Sequence, residues 1–98
     1  MLFGLFRNPR NLEEARRLVD EGALLVDVRT PAEFAAGHVE GAKNIPVQEL
    51  PQRLRELGDP SRPVVLYCRS GARSASAARL LAQHGFTKVV DVGPMPPW

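Results

Sequence analysis

Val64-Val65-Leu66-Tyr67 is apolar at every position, with Pro63 before it and Cys68-Arg69-Ser70-Gly71 directly after it. A strand with one wet face alternates apolar and polar residues, whereas an unbroken run must be covered on both faces. Ala23-Leu24-Leu25-Val26-Asp27-Val28 has the same character. Strands of this kind stay dry only when helices lie on both sides of their sheet, and helical patterns do separate these two. The order predicts an α/β domain with a mostly parallel sheet and right-handed crossovers.

Between the strands the punctuation is specific. Asn11-Leu12-Glu13-Glu14 has the form of a capping box with Asn11 as N-cap, and Leu12, Ala15, Leu18 and Val19 follow at helical spacing until Gly22. Thr30-Pro31-Ala32-Glu33 is a second capping box, with proline at the first helical position and Gly37 as the stop. Ala42-Lys43-Asn44-Ile45 reads as a short strand ended by Pro46. Leu50 is expected to cap a helix that starts at Pro51 and turns Leu54 and Leu57 inward until Gly58. Residues 63–68 form the clearest buried strand, 74–84 a helix ended by Gly85, and 88–92 the last strand.

Composition sets limits. With 98 residues, 44% apolar and 24% charged, the chain fits one domain of an ordinary globular protein. We expect residues 1–10 to be a tail or an irregular first element, and 11–98 to be the single domain. A net charge of +2 gives no reason to expect nucleic acid or a membrane surface as partner. Met1-Leu2-Phe3-Gly4-Leu5-Phe6 is too short for a signal-peptide core or a bilayer span. A single cysteine rules out an internal disulfide and fits a reducing compartment, so the cytoplasm is the expected location and a monomer the expected state.

That one cysteine sits where chemistry is expected. In a parallel sheet, ligands bind beyond the carboxyl ends of the strands, and two strands end in polar groups there, at Asp27-Val28-Arg29 and Tyr67-Cys68-Arg69. A free thiol is only about 3% thiolate at pH 7, and the thiolate is the nucleophile. Residues 69–73 centre on Gly71, so their amides can turn inward as a nest for negative charge. A helix near Ser74 adds its positive end, and Arg69 and Arg73 add fixed charges. A cysteine at a strand end is often just a small buried hydrophobe. Here the glycine, the two arginines and the lack of large apolar residues in the loop favour reactivity.

Two blocks carry a resemblance to the rhodanese family, in particular its small single-domain members. One runs Asp27-Val28-Arg29-Thr30-Pro31-Ala32-Glu33-Phe34, Gly37-His38-Val39 and Gly41-Ala42-Lys43-Asn44-Ile45-Pro46. The other is Tyr67-Cys68-Arg69-Ser70-Gly71-Ala72-Arg73-Ser74, and the likeness spans about residues 11 to 92. It implies a rhodanese-like three-layer domain and a sulfurtransferase that carries sulfur as a Cys68 persulfide. The donor would be a small anion such as thiosulfate, and the acceptor cyanide, a thiol or a protein cysteine, with no metal or organic cofactor needed. Arg69, Ser70, Gly71, Ala72 and Arg73 would hold the donor and the persulfide, with Arg69 and Arg73 on its sulfonate end. Asp27 and Ser74 are expected to support the site from behind. Arg29 and Glu33 are expected to form a salt bridge or a cap, and His38 to bond backbone.

The chain departs from the family at its ends. MLFGLFRNPR matches poorly the strand that often precedes the first helix, and Gly93-Pro94-Met95-Pro96-Pro97-Trp98 replaces a paired-glycine segment. Two other readings compete. A cysteine phosphatase or arsenate reductase uses five residues between cysteine and arginine, whereas four separate Cys68 from Arg73. A non-catalytic rhodanese-like binding module commonly lacks the cysteine, which this chain keeps.

Overall fold

The computed structural model describes the backbone of residues 9–98 and the side chains of residues 12–98. Four parallel strands form the sheet: β1 (Leu24–Asp27), β2 (Lys43–Asn44), β3 (Val64–Cys68) and β4 (Val89–Pro94), in the order β2-β1-β3-β4. The helices are α1 (Pro9–Asp20), α2 (Pro31–Ala36) and α3 (Ala72–Gln83). Strand parity divides the core. Val64, Leu66 and Cys68 join Val26, Val28, Ile45, Leu50, Leu57, Ala77 and Leu81 on the α3 side. Val65 and Tyr67 join Ala15, Leu25, Val39, Val90 and Val92 on the α1 side. Covering an unbroken apolar strand on both faces thus produces the expected three layers. Each fully buried leucine or isoleucine adds roughly 1.5–3 kcal/mol.

Boundaries moved where proline and glycine act. Helix α1 starts at Pro9, whose fixed φ and missing N–H suit a first turn, so Asn11 lies inside the helix and is not its N-cap. The side chain of Asn11 and the opening segment 1–8 lie outside the described residues. The expected helix from Pro51 is instead a pair of 3-10 turns, Val47–Gln52 and Leu54–Leu57. Their bonds run from Glu49 N–H to the Pro46 carbonyl and from Arg53 N–H to the Leu50 carbonyl, at 2.9 and 3.0 Å. Pro51 has no N–H to extend an α-helix, and Leu50 is a buried core residue, not a cap. Helix α2 ends as expected, with the Thr30–Glu33 capping box formed and Gly37 as C-cap.

Helix α3 begins at Ala72, two residues earlier than the sequence suggests, because Gly71 turns the chain at φ 104°. Strand β4 runs on to Pro94 through a register irregularity opposite Leu66 and Cys68. Among the described residues no helix is long and apolar enough to cross a membrane.

Candidate active site

Cys68 is the last residue of β3, and its side chain lies on the α3 side with no solvent exposure. What covers the sulfur includes polar groups as well as hydrocarbon. Gly71 N–H donates to Sγ at 2.9 Å, and Ser74 Oγ lies 3.5 Å away. In the thiol state the S–H donates to Ser74 Oγ, and the Ser74 hydroxyl donates to the Gly71 carbonyl at 3.2 Å. On ionisation that hydroxyl can turn to the sulfur. Burial pushes the thiol pKa up, but the Ser74 hydroxyl and the backbone N–H groups of Ser74, Gly71 and Ser70 outweigh it and leave the thiol below its ordinary 9.0. Amides and one hydroxyl thus lead the stabilisation, where the sequence suggested arginines beside them.

The early start of α3 explains this cradle. With Gly71 in a left-handed conformation at the N-cap, the chain passes from strand to helix in three residues. Ser74 then falls in the first helical turn, buried against the thiol. Ala72 is exposed at the start of the helix.

The two loop arginines have different situations. Arg73 is bound bidentately by Glu33 of α2, at 2.8 and 3.1 Å. That contact, with the backbone N–H of Thr30, lowers the Glu33 carboxyl to about 2. Glu33 therefore both caps α2 and pins the head of α3, and Arg29 takes no part in its bridge. Arg69 is exposed and has no hydrogen-bonding or ion-pair partner among the described residues. It lines a hollow of about 400 Å³ with Arg29, Glu33, Ala36, Pro94 and Met95. A larger hollow of about 520 Å³ lies away from the thiol, between α1, α3 and β4, beside the Lys88–Glu14 ion pair.

Asp27 is elsewhere. It pairs in register with Tyr67, which puts both side chains on the α1 side, opposite the sulfur. Arg29 Nη2 donates to Asp27 Oδ2 at 2.7 Å and to the Gly37 carbonyl at 2.7 Å, with both members of the pair buried. The Arg29 guanidinium also lies 5.6 Å from the Tyr67 ring centre. Burial raises the Tyr67 hydroxyl to about 12, and that oxygen accepts from Val39 N–H at 3.0 Å. Asn44 Nδ2 donates to the carbonyls of Asp27 and Arg29, at 3.0 Å each. His38 bonds the Phe34 carbonyl through Nδ1 at 2.8 Å and stacks on the Phe34 ring. Sequence reading missed the Asp27–Arg29 pair, although i, i+2 spacing in an extended segment places both residues on one face.

A family model described as a rhodanese-like domain matches residues 11–93. The chain belongs to the rhodanese family. It is 46% identical over 79 residues to a protein named sulfurtransferase from Allochromatium vinosum, covering 80% of this chain and 73% of that one. It is 38% identical over 80 residues to the thiosulfate sulfurtransferase GlpE of Pseudomonas aeruginosa, covering 82% and 72%. A solved structure, a rhodanese with anions from E. coli, superposes with a TM-score of 0.72 at 33% identity, over 76% of this chain and 88% of that one. Across the first three curated relatives the chain spans between 40% and 73% of their length. Both rhodanese-like blocks fall within the matched segment.

Proposed function

We propose that this protein is a sulfurtransferase and that Cys68 is its nucleophile. One observation carries the reading: a buried thiol, which burial alone would keep neutral, is met by enough amide and hydroxyl donors to favour its anion. The names of the relatives support sulfur transfer, and those named thiosulfate sulfurtransferase suggest the donor. The Cys68 thiolate attacks the outer sulfur of thiosulfate. The S–S bond breaks, sulfite leaves with its electron pair, and the sulfur stays as Cys68–S–S⁻. The amides of Ser70, Gly71 and Ser74 then face the charge that thiolate and persulfide share. Arg69 is the free cation for the sulfonate, and Arg73 joins it only by exchanging Glu33 for the donor. An acceptor thiol or cyanide removes the outer sulfur and restores the thiolate, so ping-pong kinetics follow.

Full burial of Sγ is the observation that favours a second reading, a binding module with an inert thiol. Intact-mass measurement after thiosulfate treatment separates them. We expect one added sulfur, removed by cyanide and absent from Cys68→Ser, with transfer lost by at least about a thousandfold in that variant. A chain that takes up no sulfur from thiosulfate or from a small persulfide would be a binding module.

A further inference from the structure

Sulfur transfer needs a second substrate, and the hollow beside the loop has the chemistry to select it. Two of its lining residues are immediate neighbours of Cys68: Arg69 follows it in the chain, and Pro94 is its partner across the sheet. The charges around the hollow differ in availability. Arg29 is committed to Asp27 and the Gly37 carbonyl, and Glu33 to Arg73. Arg69 alone of these has no partner among the described residues. Met95 shares the hollow at 42% exposure and is the one exposed large hydrophobic residue among those described. Pro94 and Pro96 flank it, and their fixed φ angles hold its backbone in place. An uncommitted guanidinium and an exposed thioether side chain thus share one small concavity, which is in the size range of ligand sites.

We propose that this hollow is the acceptor subsite and takes a small thiol whose carboxylate meets Arg69 while its carbon chain lies on Met95. The inference rests on the sulfur-transfer reading of Cys68. The acceptor thiolate attacks the outer sulfur of Cys68–S–SH and the S–S bond breaks. The electron pair returns to Sγ as thiolate, and the acceptor leaves as its own persulfide. The attacking atom must reach the same outer sulfur that the donor delivered, so the selecting groups have to border the loop, as Arg69 and Met95 do. The apolar body of Met95 favours hydrocarbon, and the guanidinium favours a carboxylate over an ammonium.

The test loads Cys68 with thiosulfate or inorganic polysulfide, verifies one added sulfur by mass, and follows its discharge. Mercaptopropionate and cysteamine have the same length and opposite charge, and their rates are corrected for each thiol's thiolate fraction. The carboxylate thiol is expected to discharge the persulfide about tenfold faster, the order of one charge-assisted contact. Met95→Glu places a competing carboxylate beside Arg69 and should collapse that ratio towards one. Met95→Ala should slow the longer mercaptohexanoate more than mercaptopropionate. Met95 is exposed, so both variants should fold, which circular dichroism checks. Equal rates in the wild type, or a ratio that Met95→Glu leaves unmoved, overturns the subsite while the loading result stands. Discharge by reduced thioredoxin far above both small thiols, and lost in Met95→Glu, overturns it in favour of a protein acceptor. Failure of every donor to load Cys68 overturns the sulfur-transfer reading and the subsite with it.

Discussion

The carboxyl end of the sheet buries polar groups on both of its faces, and the two faces handle them in opposite ways. On the α1 side, Asp27 and Arg29 are opposite charges joined by several hydrogen bonds, with further bonds to Gly37 and a ring contact to Tyr67. Everything there is compensated, so nothing is left to react. On the α3 side a single sulfur meets amides and a hydroxyl and no buried counter-ion. Donors outnumber what a neutral thiol can use, and the surplus favours an anion. Two burials that look alike in a list of buried residues thus do different work, one holding the scaffold and the other priming chemistry.

The contrast can be tested, and the largest expected effect lies on the scaffold side. Asp27→Ala leaves the Arg29 guanidinium buried without its partner, which should reduce stability by about 3–5 kcal/mol, read as a shift in urea midpoint. Cys68 in the folded fraction should still alkylate at the wild-type pH midpoint. A stable Asp27→Ala protein with an altered Cys68 midpoint would reverse the roles assigned to the two faces.

A smaller effect is expected at Glu33, which links them. Glu33→Gln releases Arg73, so the KM for thiosulfate should fall severalfold in steady-state assays; an unchanged KM would mean that Arg73 does not reach the donor. The sign of the pH dependence follows from a folded value near 2 against an ordinary 4.5. The Glu33–Arg73 tie is complete above pH 4.5 and is lost as pH falls towards 2. Any change in loading rate nearer neutrality therefore belongs to Cys68.

The finest test concerns the sulfur itself. Its iodoacetamide rate should rise with a midpoint below that of free cysteine, and Ser74→Ala should move that midpoint upward. A Ser74→Ala profile identical to wild type would leave the amides as the only source of the shift.

How much of this was legible beforehand depends on the range of the forces involved. The strands at Leu24–Asp27 and Val64–Cys68, and the Thr30-to-Gly37 helix with its capping box, were readable because local pattern and caps decide them. The position of the thiol at the end of a buried strand followed from the same pattern. The 3-10 turns around Pro51 were not readable, since a proline followed by leucines fits an α-helix equally well until the core fixes where Leu50 and Leu57 must go. The Glu33–Arg73 contact joins residues 40 apart, and no local spacing announces it. The side of the sheet on which Asp27 falls depended on register with Tyr67, which pairing between strands decides.

Having only one cysteine also governs what happens after each loading. No neighbouring thiol exists in the chain to pull the cargo off or to lock the site in an oxidised ring. Delivery must therefore wait for a collision with another molecule, and throughput under donor saturation should track how much of that recipient is in solution.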